Sequence, residues 1–297
     1  MEASGRGDAG FAPVPGVSVM FASATAPGEL IQRALAAGIE AVEIDLPYLD
    51  RWGDGAKALS RELREVTFHL PHDAEHGVLS TDPGRDRLAL DAYARIMDRA
   101  GSFGCRTFTL HLMNVMGLRL EDYWGRSVDF ARAIGDVARE RGAAVGLENC
   151  YPVVRSGAVA ARFLAEVAHP AVGLTLDCGH FWSALCENER GGHLENPVMR
   201  TPEGERVMNS MLDEMAALAA ERIVNIHIHD VRPGDWLDHQ PPGTGVMRYE
   251  RLFEALSRAG YRRTVTVEIR PTGDWDTLRR SAELIRSLIV HAHHASQ

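Results

Sequence analysis

The chain has 297 residues, of which 45% are hydrophobic and 25% charged, enough apolar material for two ordinary domains or one barrel-sized domain. No stretch nears the roughly 20 apolar residues of a membrane span, and a net charge of −9 argues against a nucleic-acid partner. Lys57 is the only lysine among 32 bases and lies away from every apolar run, so Schiff-base chemistry lacks its nucleophile.

Residues 1–15 carry neither the basic nor the apolar region of a signal peptide and are expected to be a flexible arm before a domain spanning 16–292. From there, short runs rich in Val, Ile, Leu and Thr alternate with helix-like segments. The runs are VSVMFAS near 17, AVEIDL near 41, VTFHLP near 66, TFTLHL near 107, AVGLEN near 144, VGLTLD near 172, IVNIHIHD near 223 and TVTVEIR near 264. GELIQRALAAG closes at Gly38 as a helix C-cap would. RLALDAYARIMDRAG is expected to turn Leu88, Ala92, Ile96 and Met97 to one buried face. EDYWGRSVDFARAIGDVARERG and DTLRRSAELIRSLIVHA have the same helical character.

This alternation, with no break in composition, predicts a single (β/α)8 TIM barrel. An open doubly wound sheet is set aside because no G-x-G-x-x-G follows the first run, and no P-loop is present. One interruption, Phe181 to about Gly204, follows the sixth run on the side where barrel active sites lie. It reads equally as a cover over the site or as a surface insertion. The four cysteines, Cys105, Cys150, Cys178 and Cys186, form no C-x-x-C pair, so reduced thiols and a cytoplasmic setting are expected.

Barrel chemistry projects from the C-terminal ends of the strands. Six runs end there in groups that can bind a metal or move a proton: His69, His111, Glu148, Asp177 with His180, His227 with His229, and Glu268. Each alone is explained by packing or an ion pair. Unrelated strand ends meet only at the barrel mouth, however, and a carboxylate buried there needs a partner or a cation. Jointly these residues read as a divalent-metal site. Carboxylates with one imidazole suit Mn²⁺, the ion expected first, or Mg²⁺ or Co²⁺; more imidazoles favour Zn²⁺.

LENC, LDCGH, HIHD and VEIR, in that order, resemble the xylose-isomerase-like TIM barrels, a superfamily of sugar isomerases and epimerases, dehydratases and endonuclease IV-type enzymes. The resemblance covers residues 16 to 290. It implies Glu148, Asp177, His227 and Glu268 as metal ligands and His180 as a contact to substrate oxygen. DHQPPGTG resembles the family's H-x-P-P-G-x-G loop, which implies His239 near substrate, with Gly243 and Gly245 allowing close backbone approach. Arg232 is a further candidate there, against a plain solvated arginine. His229, two residues beyond His227 and facing the same way, is either a mouth residue or the ligand in its place; the family's H-x-x-D spacing selects His227.

The chemistry implied is proton transfer beside a metal-polarised carbonyl, with Glu148 and Glu268 as the acid/base pair of a sugar or keto-polyol isomerase or epimerase. A dehydratase uses the same site if the proton goes to a departing hydroxyl. An endonuclease IV-type phosphodiesterase would add His69, His111, Asp238 and His239 as ligands, yet Asp238 and His239 are adjacent and neighbours in an extended segment point apart. A barrel without catalysis is the fourth reading. His69, His111 and His72 are expected to touch substrate hydroxyls, with His69 and His72 alternatively bracing a loop, Trp52, Trp182 and Trp236 to sit in or next to mouth loops, and Glu43 to support the metal site. Phosphorylated and free substrates are not distinguished. The partner expected is a small carbohydrate-like molecule, with homo-oligomerisation open.

Overall fold

The structure is a computed structural model, and it describes residues 11–71, 84–112, 119–149, 154–181, 201–233, 237–271 and 273–295. His72, Cys150, Trp182, Cys186 and Trp236, and all of the long interruption from 182 to 200, lie outside the described residues.

Eight parallel strands close into a barrel in chain order, β8 pairing back onto β1. They are β1 Val14–Ser18, β2 Ala41–Asp45, β3 Glu65–His69 and β4 Thr107–Leu110, then β5 Ala144–Glu148, β6 Val172–Asp177, β7 Ile223–Ile228 and β8 Thr264–Val267. Every one of the eight runs forms a strand, since strands of a parallel barrel are buried on both faces and their outward side packs on the helical layer with apolar residues. The first strand starts at Val14, inside the expected arm, and the run VSVMFAS leaves it at Val19 as a 3₁₀ turn.

The outer helices are α1 Pro27–Ala36, α2 Leu46–Trp52, α3 Leu59–Glu62, α4 Gly84–Gly101, α5 Leu120–Glu140, α6 Gly157–Val167, α7 Pro202–Ala219, α8 Glu250–Arg258 and α9 Trp275–Ala295. Helix α1 ends as expected, with Gly38 just past it at φ +77°. Asp45, the last residue of β2, caps α2 by accepting from the Tyr48 backbone N–H at 2.8 Å. Helix α7 begins at Pro202, so the interruption ends earlier than Gly204.

Helix α4 corrects one expectation. Its buried face is Ala89, Tyr93, Ile96, Met97 and Ala100, while Leu88 is 67% exposed and Ala92 only half-buried. The i, i+4, i+7, i+8, i+11 series through Tyr93 buries the largest ring, and its hydroxyl donates to the Pro71 carbonyl at 2.9 Å. Among the described residues no helix is long and apolar enough to cross a membrane.

Side chains alternate along a strand, so the strand sequence also fixes what fills the barrel. Glu43, Thr67, Thr109, Thr175, Asn225 and Thr266 all lie fully buried inside it. Glu43 Oε2 accepts from Asn225 Nδ2 at 2.9 Å, Thr109 Oγ1 at 3.2 Å and Thr67 Oγ1 at 3.4 Å, and the Thr109 and Thr175 hydroxyls meet at 3.1 Å. This polar layer is the floor on which the site stands.

A candidate metal centre at the barrel mouth

Two residues above that floor, on the same inward face, stand the chemical groups. His69 follows Thr67, His111 follows Thr109, Asp177 follows Thr175, His227 follows Asn225 and Glu268 follows Thr266. On β5 the lower position is Gly146, where a Cβ would lie 2.1 Å from Thr175 Oγ1, so only glycine lets Glu148 rise beside β6. The polar layer was missed in the sequence; once the register is known, TFH, TLH, TLD, NIH and TVE are seen to repeat one pattern of polar residue, apolar residue, then His, Asp or Glu.

Donor atoms of Glu148, Asp177, His227 and Glu268 all lie within 4.8 Å of one another. His227 is fully buried between carboxylates: its Nε2 is 3.0 and 3.1 Å from the two Glu43 oxygens, and its Nδ1 is 2.7 Å from Glu268 and 3.3 Å from Glu148. Asp177 Oδ1 accepts from the backbone N–H groups of Gly179 and His180, both at 2.8 Å. Asn149 holds the neighbouring backbone, its amide bonded both ways to Asp177 at 2.7 and 2.9 Å.

His69, His111 and His180 surround Glu148. His111 Nε2 lies 2.6 Å and His69 Nε2 3.4 Å from its Oε2, and His180 Nδ1 lies 3.2 Å from its Oε1. His69 Nδ1 sits 3.0 Å from the Leu70 carbonyl, which fixes a proton there and turns Nε2 to the site. His69, His111 and Glu148 make a second compact donor set, and Asp177, His180, His229 and His239 a third.

Charge follows this packing. Burial pushes the Glu148 carboxyl up, but His111 and His227 outweigh it and hold the group well below the usual range. Glu268 and Asp177 are likewise lowered, against burial, by His227 and by His180 with His229 respectively. Burial alone would lower the imidazoles, yet the carboxylates raise His227 far above its ordinary value, His180 to about 10 and His69 to about 9. His111 goes the other way, lowered by burial. Protons on imidazoles thus balance the acids.

The donors fit a divalent cation. Glu148 Oε2 and Glu268 Oε2 are buried and aimed into the cluster without an aligned hydrogen bond, a costly arrangement that a cation would relieve. Three carboxylates and one imidazole are a hard, oxygen-rich set.

Above the donors opens a cavity of about 650 Å³, with His69, His111, Glu148, His180, His239 and Glu268 at its base and Ser18, Met20, Pro47 and Pro71 on its walls. Asp177, His227 and His229 lie beneath it, fully buried. Arg232 is exposed and is absent from the wall. Trp52 packs against Tyr48, ring centroids 6.4 Å apart, also away from the cavity. Asp238 pairs with Arg270 at 2.6 Å and His239 Nδ1 at 3.1 Å, and it belongs to none of the three donor sets among the described residues. Gly245 approaches Asp230, where a Cβ would meet Oδ1 at 2.3 Å, so its small size serves the loop's own packing.

Solved structures share this architecture. A xylose isomerase domain protein from Alicyclobacillus acidocaldarius superposes with a TM-score of 0.69 at 21% identity, over 95% of this chain and 99% of that one. A D-psicose 3-epimerase from Clostridium cellulolyticum H10 gives 0.65 at 17%, over 94% and 99%. Another D-psicose 3-epimerase, solved in the presence of D-fructose, gives 0.70 at 14%, over 93% and 99%. No curated protein matches the sequence significantly. The profile of one family, described as xylose isomerase-like TIM barrel, matches residues 31–288, and with the closed barrel in place the chain belongs to that family.

Proposed function

We propose that this protein is a divalent-metal-dependent sugar isomerase or epimerase, with Glu148 and Glu268 as its acid/base pair. One observation carries the reading: two buried glutamates from separate strands converge on one set of cation donors at the floor of an open cavity. Glu148, Asp177, His227 and Glu268 would hold the ion, which supplies a Lewis acid for a substrate carbonyl and its neighbouring hydroxyl. Mn²⁺ suits three carboxylates and one imidazole best, ahead of Mg²⁺, Co²⁺ and Zn²⁺. One glutamate withdraws the proton beside the carbonyl and the other returns one, which inverts the carbon or moves the carbonyl. His180 and His239, at the cavity base, hold substrate oxygens.

The structurally similar epimerases named for psicose make a free ketose the first substrate to test. The cysteine usage fits a cytoplasmic setting. In D₂O with Mn²⁺, the expected result is deuterium uptake beside the ketose carbonyl, lost at least 100-fold in Glu148→Gln or Glu268→Gln. A ketose panel without exchange, on protein that binds the ion, contradicts the reading.

Dehydration is the second reading. His180, carrying a raised pKa 3.2 Å from Glu148, is placed to give a proton to a departing hydroxyl. Net loss of water from a polyol or keto-acid, with no epimer or isomer formed, would select it.

A further inference from the structure

We infer that His229 is a positioning residue which locks the Asp177 carboxylate from below and ties it to the loop carrying His239. The inference rests on the metal reading above for its functional consequence and on hydrogen bonding alone for its geometry.

His229 belongs to a compact donor set with Asp177, His180 and His239, so its composition reads as that of a ligand. Its bonds say otherwise. The His239 backbone N–H donates to His229 Nδ1 at 3.0 Å. The Asp230 carbonyl also lies 3.3 Å from Nδ1, but the His239 N–H is nearer and can only donate, so Nδ1 offers it the lone pair and the ring proton sits on Nε2. That Nε2–H lies 2.9 Å from both oxygens of Asp177. Neither nitrogen is left for a cation. The ring is a strut with an acceptor at one end and a donor at the other.

Three neighbours are shaped to this strut. At Gly179 a Cβ would stand 2.1 Å from His229 Cε1, so any side chain there displaces the ring. His239 adopts φ +53°, uncommon for a residue with a Cβ. This turns its N–H onto His229, and the two rings stack 4.2 Å apart at 10°. The Tyr249 hydroxyl donates to the His229 carbonyl at 3.0 Å. The loop is pinned on its far side by Asp230, which bonds both ways with the Gln240 backbone at 2.7 and 3.0 Å and accepts from the Gly243, Val231 and Met247 N–H groups. A shift of His239 at the cavity base is therefore felt at Asp177 through one ring.

Two substitutions separate the strut's ends. In His229→Gln the terminal amide stands near the place of Nε2 and still donates to Asp177, but the acceptor for His239 is lost. In His229→Asn the side-chain oxygen stands near Nδ1 and still accepts from His239, but nothing reaches Asp177. Mn²⁺ affinity, read from the free-ion electron paramagnetic resonance signal, is expected to fall about 10- to 100-fold in the Asn variant and in Gly179→Ala, and less than about 3-fold in the Gln variant. Hydrogen exchange of the His239 amide is expected to accelerate in the Gln variant and stay slow in the Asn variant.

In ion-free wild-type protein, long-range ¹H–¹⁵N correlation should show the His229 proton on Nε2, unchanged when Zn²⁺ is added. A proton on Nδ1, ring nitrogens that shift on Zn²⁺ binding as a ligand's would, or equal loss of affinity in the Gln and Asn variants each overturns the inference. If wild-type protein takes up no ion, the metal reading falls by itself, and the tautomer with the amide exchange still decides the strut.

Discussion

Glu43 shows how one buried carboxyl organises the barrel interior. Its Oε2 gathers Asn225, Thr109, Thr67 and the His227 ring, while Oε1 lies 3.0 Å from His227 Nε2 without an aligned hydrogen bond. Glu43→Ala leaves Asn225 and His227 without their acceptor in a sealed interior, and is expected to cost about 3–5 kcal/mol in denaturant unfolding. Glu43→Gln keeps the shape and is expected to weaken the bound ion about 10-fold with a much smaller change in stability, since the carboxylate that orients His227 is what it removes. Equal Mn²⁺ affinity in wild type and Glu43→Gln would contradict that role. The glutamate was legible as a polar residue on a core strand. Its donors were not, because threonine is common in strands and only the register of six strands shows that five such residues form one layer.

At the scale of elements, seven strands begin within one residue of their runs, since a parallel barrel leaves them no exposed face, while β1 begins three residues before its run. The helices were less legible. In α4 the sequence offers two faces one residue apart, and the structure takes the one through Tyr93, leaving Leu88 in water. Leu88→Ser is therefore expected to change unfolding free energy by less than about 0.5 kcal/mol, while Tyr93→Ala costs about 3–5 kcal/mol; the reverse order in urea melts would refute the assignment. The short helices between β2 and β3 carry no clear period and could not be seen in advance. Between β5 and β6, Gly146→Ala would push against Thr175 and is expected to cost about 1–3 kcal/mol while disturbing the strand that carries Glu148.

Across the whole molecule the fold resolves into a barrel whose apolar shell is ordinary and whose interior is polar from its middle to its mouth. Strand ends named the candidate site because barrel closure brings them together, which is why the grouping of Glu148, Asp177, His227 and Glu268 was legible before any coordinates. The H-x-x-D spacing chose His227 over His229, but the contacts of His229 were not legible, since they depend on the loop that returns as His239. Without a cation, protons on His69 and His180 balance the buried acids, and this has a pH signature. Both imidazoles are raised above the unfolded value near 6.5, to about 9 and about 10. Their contribution to stability is complete below pH 6.5 and is lost as the pH climbs through 9 to 10. Ion-free protein should thus melt earlier at alkaline pH, and Mn²⁺ should restore it while displacing protons; a flat profile in EDTA would contradict the charge assignment.

The most direct measurement is metal content and affinity of the purified protein beside Glu148→Gln and Glu268→Gln. The account requires tight uptake of a divalent ion, first among them Mn²⁺, through Glu148, Asp177, His227 and Glu268, and a clear loss of affinity in both variants. Folded wild-type protein that takes up no divalent ion after saturation and dialysis, or variants that bind as well as wild type, would contradict it.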